Sequence, residues 1–208
     1  MARNTVLFDA ICNGKANVVE QVVREAIDRG DNVVELLTES MIPAMKEIGE
    51  RFARNEVYVP EMLISARAMN TGLKLLEPLL AKQGHQPLAK VAIGTVKGDL
   101  HDIGKNLVAM MLKGAGFEVD DLGVNCDVNK FAASVQKGSR AVCCSALLTT
   151  TMPYMKTVVE HFKQYPDVKV IIGGAPVTQA YADDIGAHGF ATNASDAVKV
   201  VSACLGLS

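Results

Sequence analysis

Gly94-Thr95-Val96-Lys97-Gly98-Asp99-Leu100-His101-Asp102-Ile103-Gly104-Lys105-Asn106 is the stretch from which the fold can be read. Before it, Val91-Ala92-Ile93 is an apolar run short enough for a buried strand. After it, Leu107-Val108-Ala109-Met110-Met111-Leu112 is apolar on consecutive turns, as a helix against a sheet is. Strand, glycine-containing loop and helix in that order form the usual ligand position of an open α/β sheet. The loop holds His101, with one carboxylate two residues before it and another directly after. A carboxylate that accepts from one ring nitrogen fixes the tautomer and leaves the other nitrogen free for a metal. A plainer reading of the same residues makes Asp102 a helix cap and His101 a polar loop residue.

Outward from this loop the chain alternates. Strands are predicted near 90–95, 117–122, 140–145, 168–173 and 189–192, with helices over 103–115, 128–137, 151–164, 178–185 and 195–204. The fold class is therefore α/β, a Rossmann-like, doubly wound, parallel five-stranded sheet. Ser145-Ala146-Leu147 closes the third strand and Gly173-Gly174 the fourth, on the same sheet edge as His101. Upstream of residue 83 only helical patterns occur. One over Val6–Cys12 stops at Asn13-Gly14, and one over Val18–Ile27 ends at Gly30. A third, Val33–Ala53, should be kinked or split by Pro43, and a fourth, Glu61–Leu80, is opened by Pro60. These read as an N-terminal antiparallel four-helix-type bundle. The domain reading is a helical cap over 1–83, a linker over 84–89 and the sheet domain over 90–208, with the polar stretch 81–88 marking the boundary.

Composition removes several function classes. With 21 basic and 23 acidic residues the net charge is −2, which gives no electrostatic case for nucleic acid. Aromatic residues are few and tryptophan is absent, so stacking platforms for bases are not expected. No apolar run has membrane length. The start Met1-Ala2-Arg3-Asn4-Thr5 lacks the apolar core of a signal peptide, so a cytoplasmic protein is expected. Cys12, Cys126, Cys143, Cys144 and Cys204 form no Cys-x-x-Cys pair and are odd in number, which argues against a disulfide framework. Cys143 and Cys144 fall inside a predicted central strand, where packing is the expected role.

Asp99-x-His101-x-x-Gly104, followed in order by Ser145-x-Leu147 and Gly173-Gly174, resembles the cobalamin-binding signature. The whole chain resembles the small corrinoid proteins of methyltransferase systems and is similar to the cobalamin-binding module of methionine synthase, helical cap included. Ile42-Pro43-Ala44-Met45-Lys46-Glu47-Ile48-Gly49-Glu50-Arg51-Phe52, with Tyr58-Val59-Pro60-Glu61-Met62-Leu63 after it, narrows the match to this group. Asn125-Cys126-Asp127, Arg140, Cys143, Cys144 and His188 depart from what the group commonly shows.

The resemblance implies cobalamin or a related corrinoid, cycling through methylcobalamin, cob(I)alamin and cob(II)alamin states. It makes His101 the lower axial cobalt ligand, with Asp99 on its far nitrogen and the Thr151 hydroxyl extending that relay. It also implies that Asp102, Ile103 and Gly104 complete the cofactor-binding loop and that Ser145, Leu147 and Thr149 line the cleft for the nucleotide tail. Gly173 and Gly174 would let that tail lie against backbone. Tyr58, Val59, Met62, Leu63, Met41 and Met45 would either cover the upper corrin face or belong to the cap's own core.

No residue is assigned catalysis, because the chain would be a carrier component whose chemistry resides in the cofactor. The implied partners are a substrate-specific methyltransferase, an acceptor methyltransferase working on tetrahydrofolate or a thiol, and a reductive activator for oxidised cobalt. Neither nucleic acid nor a membrane is among them. Methanol, methylamines, betaines and aromatic methyl ethers are the donor classes such carriers serve, and the linker is the expected hinge of cap movement. The alternative is the cobalamin-binding subunit of an adenosylcobalamin-dependent mutase, against which the cap segment argues. A cobalamin sensor would need an output module that the sequence lacks. A cofactor-free module resembling a response regulator could use Asp99, Asp102, Asp120 and Asp121 but leaves Ser145-x-Leu147 and Gly173-Gly174 unexplained.

Overall fold

The computed structural model describes residues 3–207, so Met1, Ala2 and Ser208, which the predicted start and regions include, lie outside the described residues. The chain divides into two compact units. One runs to Pro87 and includes Gly114–Gly116; the other holds Leu88–Lys113 and the chain from Phe117 onward.

The first unit is helical. Helices α1 (Thr5–Cys12) and α2 (Ala16–Arg29) are followed by α3 (Val33–Leu36), α4 (Ile42–Ala53) and α5 (Val59–Lys82). Asn4 opens α1 by accepting from the Leu7 N–H, and α2 ends on Gly30 in the left-handed region. The predicted third helix is interrupted as its proline requires. Pro43 has no N–H, and its ring conflicts with the carbonyl four residues back, at Glu39. The backbone widens over Leu37–Met41 into a π-helical turn, in which the Ile42 N–H reaches back to the Leu37 carbonyl. Pro43 and Pro60 both stand in the first turn of their helices, where a missing N–H costs nothing. Met41, Met45 and Met62 are fully buried with Leu7, Ile11, Val19, Ile48 and Leu76, so these three methionines are core. Tyr58 and Val59 are exposed.

The second unit is a five-stranded sheet. Its strands are β1 (Lys90–Thr95), β2 (Glu118–Asp121), β3 (Ala141–Ser145), β4 (Lys169–Gly173) and β5 (Gly189–Ala191), all paired in parallel in the order β2-β1-β3-β4-β5. Helices α6 (Ile103–Gly114), α7 (Val128–Gln136), α8 (Pro153–Phe162), α9 (Gln179–Ile185) and α10 (Ala194–Cys204) connect or follow the strands. Asp127, Thr178 and Asn193 cap α7, α9 and α10 by accepting backbone N–H bonds.

β1 and β3 are neighbours while their connections run in opposite directions, to β2 and to β4, so the crevice beyond their carboxyl ends is the topological switch point of the sheet. Consecutive strand residues are buried on both faces, which is why β1, β3 and β4 read as unbroken apolar runs. Cys143 and Cys144 are both core. Burial pushes the Cys143 thiol up to about 12 and raises Cys144 as well, so neither is poised as a nucleophile. All five cysteines are free. His188 also serves packing: its Nδ1 accepts the Val170 N–H at 3.1 Å, beside β4. No helix among the described residues is long and apolar enough to cross a membrane.

Candidate functional site

At the switch point the register sets Thr95, Ser145 and Gly173 side by side, so the loops after β1, β3 and β4 emerge together. Asp99 lies in the first of these loops and is wholly buried. One carboxylate oxygen faces His101, accepting from its backbone N–H at 3.1 Å and lying 2.7 Å from ring Nδ1. The other faces the loop after β3, accepting from the Leu147 N–H at 2.8 Å, the Leu148 N–H at 3.3 Å and the Thr151 hydroxyl at 2.7 Å. Burial alone would raise this carboxyl. The Leu147 N–H, the Thr151 hydroxyl and His101 outweigh it and hold Asp99 well below the usual carboxylate range.

Because Asp99 is a carboxylate with nothing to donate, the Nδ1 of His101 carries the proton. Its Nε2 then holds a lone pair, and no residue among those described bonds to it. The imidazole is half exposed. The backbone is pinned as well: the buried Thr95 hydroxyl donates to the His101 carbonyl at 2.8 Å. Around this imidazole the same two loops and the start of α6 expose apolar side chains. Leu100 is 71% and Ile103 76% exposed, and Leu147 and Leu148 are also open to solvent. Water-facing leucines at one sheet edge mark a surface built to be covered.

The structure thus joins Asp99, His101, Leu147 and Thr151 directly. Asp102 sits at the start of α6, where its carbonyl accepts from the Asn106 N–H and its carboxylate from the Asn106 amide at 3.0 Å. Gly104 lies in the first turn beside open space. The Ser145 and Thr149 hydroxyls make no hydrogen bond among the described residues, and Thr149 is not tied to the cluster. Gly173 and Gly174 are needed by the chain itself. A Cβ at 174 would fall 1.9 Å from the Ala146 carbonyl oxygen, and the residue has a φ of +132°.

Thr95, Leu148 and Asn125 also belong to this arrangement, and sequence reasoning did not single them out for it. A hydroxyl residue ending an apolar strand was the available signal for Thr95; the other two are brought in by contacts distant in sequence. Replacing Thr151 by valine should leave Asp99 with its backbone donors and the His101 ring alone. A loss of about 1–2 kcal/mol in the stability of the sheet unit is expected, measured by urea unfolding.

Fold and site define a corrinoid-binding protein, and the chain belongs to the B12-binding family. A family model described as a B12 binding domain matches residues 89–200, and a second model of the same description matches residues 4–77. The trimethylamine corrinoid protein of Methanosarcina barkeri is 41% identical over 203 residues, covering 95% of this chain and 94% of that one. A corrinoid protein of Desulfitobacterium hafniense is 37% identical, covering 96% of each. Among solved structures, a cobalamin-binding protein from Desulfitobacterium hafniense DCB-2 superposes with a TM-score of 0.76 at 30% identity, covering 95% of this chain and 96% of that one. The methanol:cobalamin methyltransferase complex MtaBC of Methanosarcina barkeri gives a TM-score of 0.84 at 26% identity, covering 98% of this chain and 79% of the matched one.

The residues fit a corrinoid. One imidazole offers one nitrogen, exposed apolar side chains surround it, and no group of three or more His, Cys, Asp or Glu able to hold a bare metal ion occurs among the described residues. A metal held here by His101 would bring its other ligands with it.

Proposed function

We propose that this protein is the corrinoid-carrying subunit of a methyltransferase system of the methylamine type. It takes a methyl group from a substrate-specific methyltransferase and delivers it to an acceptor methyltransferase. The observation that carries the proposal is the Asp99–His101 pair, with Nδ1 engaged at 2.7 Å and Nε2 free at the switch point of the sheet. It stands in a chain that aligns end to end with trimethylamine and dimethylamine corrinoid proteins.

A bound corrinoid supplies a cobalt centre that can accept and release a methyl group. The chain supplies the rest. His101 would hold the group through Nε2, and Asp99 keeps the ring in the tautomer that leaves this nitrogen free. Thr151 and the Leu147 N–H hold Asp99 ionised and oriented. Leu100, Ile103, Leu147 and Leu148 are exposed and would offer apolar surface to the macrocycle and keep water from it. Ser145, Thr149 and the Gly173-Gly174 edge would hold the nucleotide tail. The third partner is a reductive activator that restores oxidised cobalt.

The test is methylation of the corrinoid-loaded protein, followed by its absorption spectrum, with methyltransferases for trimethylamine, dimethylamine, monomethylamine and methanol. Transfer with an amine methyltransferase at least about tenfold faster than with the methanol enzyme is expected, a difference of 1.4 kcal/mol in barrier. Equal rates, or transfer only from methanol, would contradict the methylamine assignment.

A further inference from the structure

The segment Gly123–Asp127 lies between β2 and α7 and contains Asn125-Cys126-Asp127, the stretch that departs from the family pattern. Its backbone nevertheless grips the histidine loop. The Thr95 N–H donates to the Gly123 carbonyl at 3.0 Å, and the Cys126 N–H donates to the Thr95 carbonyl at 2.9 Å. Val96 and Cys126 form a parallel bridge. Asn125 closes the grip from both ends: its N–H donates to the Asp99 carbonyl at 3.0 Å, and its Oδ1 accepts the Gly98 N–H at 2.9 Å. Asn125 does this with a φ of +51°, a left-handed conformation that asparagine tolerates better than most residues.

We propose that Asn125 is a positioning residue for His101. Its two-point clasp on Gly98 and Asp99 fixes the loop that aims the imidazole, and so sets how completely His101 would engage the metal. The loop needs such a clasp. Gly98 sits in the left-handed region and is exposed, and the Asp99 side chain is already committed to His101 and to the loop after β3. Without Asn125 Oδ1, the Gly98 N–H turns to water and the segment Lys97–Gly98 keeps only the Lys97 ammonium over the Tyr154 ring, 6.0 Å from its centroid, as a side-chain tether among the described residues. The imidazole, half exposed, then samples more orientations at the expense of the one that presents Nε2.

This inference rests on His101 acting as the cobalt ligand, so the experiment separates the two. Asn125→Gly keeps the left-handed backbone and deletes the acceptor; Asn125→Asp keeps both. Each variant and the parent protein, prepared with histidine carrying the heavy nitrogen isotope, are loaded with cobalamin, reduced to the divalent state and examined by electron paramagnetic resonance for the doublet nitrogen splitting that labelled histidine gives. Amide exchange of residues 97–101 is followed in the cofactor-free proteins.

Asn125→Gly should lower the nitrogen-coupled to uncoupled ratio about fivefold, the effect of one modest hydrogen bond. It should speed exchange within 97–101 while leaving β3 and β4 unchanged, and Asn125→Asp should restore both readouts. An unchanged ratio in Asn125→Gly overturns the proposal. So does a ratio that falls equally in both variants, or exchange that quickens across the whole sheet. A parent protein without nitrogen splitting refutes the ligand assignment instead.

Discussion

Gly174→Ala is expected to cost the sheet unit about 2–6 kcal/mol, a large part of the stability of an ordinary domain. Two effects add. A φ of +132° is a region that side-chain-bearing residues adopt only at a cost of about 1–3 kcal/mol. The new Cβ would also stand 1.9 Å from the Ala146 carbonyl oxygen, which is backbone and cannot swing away as a side-chain tip could. Relief requires the loops after β3 and β4 to part, an overpacking cost of roughly another 1–3 kcal/mol. Gly186→Ala is the control, with a φ of +75° and nothing within 4 Å of its Cβ; strain alone gives about 1–2 kcal/mol there. Tryptophan is absent, so urea unfolding is followed by circular dichroism. Equal losses in the two variants would show that the loops at Ala146 and Gly174 are not in contact.

Asp99→Asn should have the second large effect, on stability and on the imidazole together. The carboxylate accepts on both oxygens, and an amide can accept on only one. With its oxygen toward Leu147 and Thr151, the amide's NH2 meets the His101 N–H and ring. The ring then has to accept at Nδ1, and its proton moves to Nε2. About 3–4 kcal/mol of stability is lost at neutral pH, since a buried group keeps donors without a proper acceptor. Nε2, now protonated, cannot bind a metal.

The acid limb supplies an independent check. Asp99 has a folded value below its ordinary one, near 3.9 when unfolded, so its contribution is complete above that value and declines as pH falls toward the folded one. The stability gap between parent and variant should therefore be full at pH 6 and shrink below about pH 4. A gap that stays constant to pH 2 would mean that Asp99 is not held as a carboxylate by its donors.

Much of this architecture was legible because parallel strands buried on both faces are continuous apolar runs. Val91–Thr95, Ala141–Ser145 and Lys169–Gly173 needed no more than that, and their loops carried Asp99-x-His101, Ser145-x-Leu147 and Gly173-Gly174 to one edge. The proline positions were also legible in kind. Pro43 was bound to break the helix, though a π-helical turn rather than a kink cannot be told from the residue pattern. Helix α8 begins at Pro153 and not at 151 as periodicity suggested. Thr151 consequently sits in a turn, from which its hydroxyl reaches Asp99. The methionines at helical spacing were ambiguous between core and cofactor cover until burial placed Met41, Met45 and Met62 in the core. Asn125 was out of reach for a different reason. Its partners lie 26 and 27 residues away, and neither hydrophobic period nor turn chemistry encodes a contact of that span.

The claim on which the account stands is that the Nε2 of His101 binds the cobalt. The direct measurement is electron paramagnetic resonance of the corrinoid-loaded protein in the divalent cobalt state, prepared once with ordinary histidine and once with histidine carrying the heavy nitrogen isotope. A superhyperfine triplet that becomes a doublet in the labelled protein, and is lost in His101→Gly, is the predicted result. A triplet that survives labelling would place the cofactor's own base on the metal, and a spectrum without nitrogen splitting would leave His101 no part in coordination; either contradicts the account.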